Sequence, residues 1–423
     1  MGYNKEGVMM HKFKGYRCTL CGKTYSPDEA IYTCPSCGDK GILDVEYDYE
    51  KLKDTVTLNY FKNNHDYSMW RYAPIMSIRD DHISEMLRIG WTPLYKSKRL
   101  AEHLGIKTLY IKDEGLNPSG STKDRASGVA VLKAIEAGAK TISCSSTGNA
   151  ASSCACQAAH IGLKSVIFVP KRAPIGKLTQ LSIYGATVIC VDGDYKDTYN
   201  LSRKAIETYH WYNRNAAINP HMVEGKKTVA FEIAEQLNFE PTDWVAISVG
   251  DGCSVGGVYK GFFDLLQLGL IKRIPKILGV QSDGCAPFVT AFENNEELKE
   301  ADENTIADSI AVGIPRNPVK AMFAIKKSGG HFISVSDKHI LESMALLGRL
   351  EGIFGEPAGV TALAGIEEAL HKGLIKPDES VTFIVTGNGL KDPTNAQKAI
   401  SQPILLKPDI EALHKYLKEK GVN

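Results

Sequence analysis

Residues 140–169 read KTISCSSTGNAASSCACQAAHIGLKSVIFV, and this stretch decides the fold. Lys140–Ser145 is a short β-rich run, and Ser145-Ser146-Thr147-Gly148 is a turn of hydroxyl residues and glycine. Asn149–His160 is an alanine-rich helical stretch, and Ser165–Val169 is a second apolar run. Two short, largely continuous apolar runs around one helix predict a βαβ unit, with parallel strands buried on both faces.

The same texture continues outward from Trp91. Strands are predicted at Thr108–Lys112, Thr187–Val191, Trp244–Val249, Ile277–Gln281, His331–Val335 and Val381–Val385 as well. Helices are predicted between them at Asp124–Ala137, Gly176–Tyr184, Thr198–Tyr209, Thr228–Leu237, Val255–Leu268, Asp337–Leu350 and Gly359–His371. This alternation predicts an α/β fold of doubly wound open sheets. Eight such units could close a barrel, but glycine-rich turns follow only some of the strands, which favours open sheets.

Composition narrows the function. The 423 residues carry 50 Lys and Arg against 49 Asp and Glu, so no bias toward nucleic acid follows. No apolar run reaches the roughly 18 residues of a membrane span. The polar start, Met1 to Lys14, lacks a signal-peptide core, and Glu6 stands where a myristoylation signal needs Ser or Thr. The expectation is a soluble cytoplasmic protein without a membrane partner. The tail from about Leu405 reads as a polar helix packed on the surface.

Four of the ten cysteines cluster as Cys18-x-x-Cys21-Gly and Cys34-x-x-Cys37-Gly. Two such turns supply four soft ligands in a tetrahedron, the preference of Zn²⁺, with iron as the competing ion. A segment this short buries little core of its own, so the metal would serve as its core, in a structural role. The alternatives are two disulfides or four free thiols.

Four turns at predicted strand ends carry the chemistry, at the sheet edge where open α/β folds collect ligands. Asn117-Pro118-Ser119-Gly120-Ser121-Thr122-Lys123 puts a lysine at a helix start, where its amine can become a nucleophile. Ser145–Ala151 presents hydroxyls and the Asn149 amide at a helix N-terminus. Gly250-Asp251-Gly252-Cys253-Ser254 can cradle a phosphate with backbone N–H groups. Thr386-Gly387-Asn388-Gly389 follows the last strand, and Thr386 can face a ring nitrogen. Taken singly, each also reads as ordinary capping, strand ending or tight packing.

In this order, the four turns and Glu224-Gly225-Lys226-Lys227-Thr228 resemble the fold-type II pyridoxal-phosphate enzymes, the threonine synthases in particular. The resemblance spans about 90–392, and the cysteine segment is similar to the zinc-ribbon-like start of some members. It implies a pyridoxal 5'-phosphate-dependent lyase of amino-acid biosynthesis acting on a small amino acid, and a homodimer. By position it implies Lys123 as the Schiff-base lysine and Asn149 at the cofactor's phenolic oxygen. Gly250, Asp251, Gly252, Cys253 and Ser254 fall at its phosphate, and Thr386 at its ring nitrogen. Ser146 and Thr147 fall at the substrate carboxylate, with Lys177 also on the substrate. The domains then read as a zinc-ribbon-like segment 1–45 and a connecting arm 46–90. A large cofactor domain takes 91–125 and 215–423, and a smaller α/β domain takes 126–214.

Three positions depart from the family pattern, the first being Thr122, where a Phe usually precedes the Schiff-base lysine. Met222 stands where an Arg usually clamps the phosphate of O-phosphohomoserine, and Asp251 replaces an Asn. Methionine cannot hydrogen-bond a phosphate, and a carboxylate repels one unless it is protonated or turned away. On this reading O-phosphohomoserine is a poor substrate, unless His221, Lys226, Arg172 or Lys177 compensates. A β-eliminating ammonia-lyase or a β-replacement enzyme needs no such clamp. A non-catalytic zinc-ribbon binding protein is the reading from another class, and the intact Lys123, Asn149 and Thr386 argue against it.

Overall fold

The apolar runs sort into three sheets in the computed structural model, which describes residues 13–29, 32–171, 175–193, 195–401 and 403–422, without the side chains of 175–177 and 195. The first sheet joins β1 (Gly15–Cys18), β2 (Thr24–Tyr25) and β3 (Leu43–Glu46) in the order β2-β1-β3, all antiparallel. The second has β4 (Leu94–Ser97), β5 (Thr108–Asp113), β10 (Trp244–Ser248), β11 (Lys276–Ser282), β12 (His331–Val335) and β13 (Ser380–Val385), in the order β12-β11-β10-β13-β5-β4. The third has β6 (Thr141–Ser145), β7 (Lys164–Pro170), β8 (Thr187–Val191) and β9 (Tyr212–Asn213), in the order β8-β7-β6-β9.

The third sheet is parallel throughout, and the second is parallel except for β4, which runs antiparallel at its edge. Every predicted strand forms, displaced by at most a residue at either end. β4 and β9 escape sequence reading for a physical reason. β4 is Leu-Tyr-Lys-Ser on an edge, with Tyr95 and Lys96 exposed, and β9 is two residues long. Neither presents a continuous apolar run.

One large core spans both α/β sheets. Ile142 and Ile167 of the third sheet and Val245 and Ile247 of the second lie in the same buried cluster. Small residues let helices cross closely there. Helix Lys123–Glu136 meets helix Asn149–His160 through Ser127 Oγ and Ser153 Oγ, 2.6 Å apart. The segment read as a connecting arm is part of this core. Phe61, Met69, Trp70, Tyr72 and Ile75 are buried in it, and Ile89 packs so tightly on Gly128 that a Cβ there would stand 2.5 Å from Ile89 Cδ1. Its aromatics are spaced irregularly because it folds as short helical turns, not as a strand or a long helix.

The tail departs from expectation as well. Helix Ile410–Lys420 forms, but it has no buried residue, and Leu405 before it is 99 % exposed. Its apolar residues find no face of the body to cover. Among the described residues no helix is long and apolar enough to cross a membrane.

A buried ion network anchors the helix Lys123–Glu136 through Arg125. Arg125 Nε donates to Glu114 Oε2 at 2.6 Å and Nη1 to Glu232 Oε1 at 2.6 Å, while Lys112 Nζ reaches Glu232 Oε2 at 2.7 Å. Burial alone would raise the Glu114 carboxyl, but the Arg125 guanidinium overrides it and holds the group down to about 2. Glu114 also accepts from the Asn117 amide, which ties the network to the turn before Lys123. Arg125→Ala should therefore leave two buried carboxylates short of charge and lower stability by about 3–5 kcal/mol. A urea midpoint unchanged from the parent protein would contradict this.

Candidate active site

Three of the four turns are neighbours because their strands are. β10, β13 and β5 lie side by side and parallel, so the turns at 250–254, 386–389 and 117–123 leave the same edge of the sheet together. They are also stitched to each other. Thr122 N donates to Thr386 O at 2.9 Å, and Asn388 N to Gly120 O at 2.9 Å. The fourth turn, after β6, faces them from the third sheet.

Together they enclose a cleft lined by Lys123, Ser146, Gly250–Ser254 and Thr386. Lys123 opens its helix and is half buried. Burial, then the positive charges of Lys226 and Arg214, push its amine down to about 8, against the opposing pull of Glu356. An amine so poised is neutral and nucleophilic far more often than a surface lysine near neutral pH.

The glycine turn leads into the 15-residue helix Cys253–Gln267. Gly252 caps it with φ +87°, and a Cβ there would stand 2.7 Å from the Asn317 carbonyl oxygen. The backbone N–H groups of Asp251, Gly252, Cys253 and Ser254 find no acceptor among the described residues. Orphan donors at a helix N-terminus suit a phosphate. The Asp251 carboxylate is turned to the chain: its Oδ1 accepts from Arg316 N at 3.3 Å. The carboxylate therefore has a backbone partner of its own beside the cradle.

Other expectations divide. Thr147 and Asn149 line an adjoining hollow, which shares Ser309 and Glu356 with the cleft. The Asn149 amide donates to Glu356 Oε1 at 2.7 Å. Met222 is not at the cleft. It is fully buried in the large core, so its thioether serves packing, and it is not the position from which a phosphate would be clamped. His221 is held between Tyr16 Oη at 3.0 Å and Ser77 Oγ at 2.7 Å. Arg172 and the side chain of Lys177 lie outside the described residues.

Sequence reading missed Glu356, Arg214, Arg316 and Tyr199, all of which line the cleft. Glu356 precedes Pro357 at a helix start, which was a usable signal; a Cβ on Gly387 would stand 2.5 Å from its carboxylate. Arg214 follows the two-residue β9 and gave no signal.

The four cysteines do converge. The sulfurs of Cys18, Cys21, Cys34 and Cys37 all lie within 4.8 Å of one another, with Cys21 and Cys34 3.8 Å apart. A tetrahedron with Zn–S bonds of about 2.3 Å has edges of roughly 3.8 Å. A Cβ on Gly41 would stand 2.5 Å from Cys34 Cβ, so only glycine closes the cluster.

The family of pyridoxal-phosphate dependent enzymes matches residues 86–387, which contain the first three turns and the start of the fourth. Over 406 residues, 95 % of this chain and 99 % of the relative, it is 41 % identical to a threonine synthase of Methanocaldococcus jannaschii. The chain belongs to the pyridoxal-phosphate-dependent threonine synthases. A second threonine synthase, of Methanosarcina acetivorans, is 39 % identical over 94 % of this chain and 97 % of its own. The fold also matches the diaminopropionate ammonia lyase of Escherichia coli, with a TM-score of 0.66 at 20 % identity over 79 % of this chain and 93 % of that one.

The lowered basicity of the Lys123 amine gives a pH test of whether it is the group that takes up the cofactor. Reloading of the cofactor-free protein with pyridoxal phosphate should accelerate through a midpoint near pH 8, well below the ordinary lysine value of 10.5. Glu356→Gln removes a negative neighbour and should lower the midpoint; Lys226→Gln removes a positive one and should raise it. A midpoint at the ordinary lysine value would contradict the assignment.

Proposed function

We propose that the cleft converts O-phosphohomoserine and water to threonine and phosphate, with Lys123 as its working amine. The observation that carries the reading is one amine of lowered basicity facing a turn of orphan N–H groups, in a chain that matches threonine synthases over nearly its whole length. The donor set fits pyridoxal phosphate: Gly250–Ser254 for its phosphate, Lys123 for its aldehyde, Thr386 for its ring nitrogen.

When bound, that cofactor supplies an aldehyde that captures amines and a ring that draws electrons from the adjacent carbon. Lys123 takes the proton from Cα of the substrate and later moves protons at Cβ and Cγ. Phosphate leaves from Cγ and water adds at Cβ, so the atoms balance. Ser146 and Thr147 hold the substrate carboxylate, and the family resemblance assigns Lys177 to the substrate as well. Thr386 offers a neutral hydroxyl, which stabilises a charged ring less than a carboxylate would and so favours prompt elimination. Asn149, oriented by Glu356, serves the phenolic oxygen. The work divides between the large unit, 91–125 with 215–423, and the smaller unit, 126–214, as the two α/β sheets suggest. The family resemblance further supports a homodimer and a cytoplasmic location.

The decisive assay compares phosphate release from O-phosphohomoserine with ammonia release from threonine or serine. Phosphate release should dominate. Ammonia release alone would assign a β-eliminating lyase in its place. Lys123→Ala should abolish both turnover and the visible absorption of the bound cofactor while the protein stays folded.

The four cysteines, we propose, hold a structural zinc ion. Four thiolates leave no open position for a substrate, and the tetrahedral spacing of the sulfurs supports the ion. Cys34→Ser should loosen the segment up to residue 47, read as faster proteolysis there and a lower melting temperature. Loss of turnover with unchanged stability would argue against a structural role.

A further inference from the structure

Among the described residues, buried cations are paired, with two exceptions. Lys112 has Glu232, Arg125 has Glu114 and Glu232, and Lys227 has Glu224 at 2.5 Å and Asp264 at 2.7 Å. Arg214 and Lys226 differ. Arg214 is 1 % exposed; its Nε donates to Ser127 Oγ at 3.1 Å, while its Nη2 has no partner among the described residues. Lys226 is 5 % exposed, and its ammonium makes no hydrogen bond or ion pair among those residues. Both line the cleft beside Lys123. A buried charge without a partner is strongly unfavourable, so the partner is expected to arrive with a ligand.

No carboxylate of the cleft is bonded to either cation, although the Asp251 charge partly offsets the lowering of the Lys226 amine by burial. Glu356 is engaged by Asn149, and Asp251 by the backbone of Arg316. The missing partner is therefore an anion from outside the chain. The backbone turn at 251–254 already offers donors for one phosphate. We propose that Arg214 and Lys226 form a second phosphate seat, which takes the leaving phosphate of the substrate; this rests on the substrate reading above.

The local structure explains why Lys226 bears this charge. In helix His221–Lys226, Met222 goes to the core, His221 is held by Tyr16 and Ser77, and Glu224 is held by Lys227 and Tyr47. Lys226 is the residue of that helix whose charge reaches the cleft. A Cβ on Gly257 would stand 2.9 Å from Lys226 Cβ, so the glycine lets helix Cys253–Gln267 press against the lysine stem and fix its course. The cation that Met222 does not provide thus comes from one helical turn later.

The test uses the holoenzyme and Lys226→Gln, with Lys226→Arg as the charge-preserving control. Binding of inorganic phosphate, read by calorimetry, should weaken roughly 10- to 150-fold in Lys226→Gln and recover in Lys226→Arg. The kcat/KM for O-phosphohomoserine should fall by a similar factor, mainly through KM, while the affinity for pyridoxal phosphate, compared at a pH above the Lys123 midpoint of both proteins, is kept. Loss of cofactor affinity with KM unchanged would overturn the proposal and assign the pair to the cofactor's phosphate. Unchanged phosphate binding would overturn it as well. If the unsubstituted enzyme does not turn over O-phosphohomoserine, the substrate reading fails, and the phosphate titration still decides whether the seat exists.

Discussion

The site depends on the hydrogen bonding of β13 between β10 and β5. Trp244 pairs with Val381, and Val381 with Leu109, so three strands end at one level of the sheet. The amine of Lys123, the hydroxyl of Thr386 and the glycine turn meet because of that pairing. Each turn is more than 100 residues from the next along the chain, so local preference alone cannot bring them together. Cross-links between the turns then fix their spacing, notably Thr122 N to Thr386 O and Glu356 N to Gly387 O.

Charge distribution separates the frame from the working cleft. Behind the cleft, Arg125, Lys112 and Lys227 sit among carboxylates and are closed ion networks. Inside it, Lys123, Arg214 and Lys226 stand close together without carboxylates bonded to them. The second arrangement is unfavourable for the empty protein and favourable for one that binds anions. Burial lowers the basicity of Lys123 most, and the same neighbouring cations lower it further, so binding and reactivity share part of their cause.

The cysteine segment is far from the chemistry in sequence, but it braces the helix that reaches it. Tyr16 holds His221, Tyr47 bonds Glu224, and Lys320 donates to the carbonyl of Leu43 at 2.7 Å. A helix of six residues is too short to be stable alone. Its position is set by these contacts and by the Lys227 network. The cysteine segment thereby acts on the cleft through packing, although none of its own four cysteines lines it.

The sequence by itself determined the class of fold, eight of the ten strands of the two α/β sheets, the four turns and the cysteine quartet. Each of these is a local signal: a continuous apolar run marks a strand buried on both faces, and glycine or hydroxyl residues mark a helix start. Lys123 and the 250–254 turn were legible for that reason. What a side chain faces is not local, and only the tertiary structure decided it. Met222 stood in the clamp register of its family yet turned into the core, and Arg214 came from a strand too short to see. Glu356 reached Asn149 across 207 residues. Burial, charge pairing and the identity of the unpaired cations are sums over distant neighbours, and no window of sequence contains them.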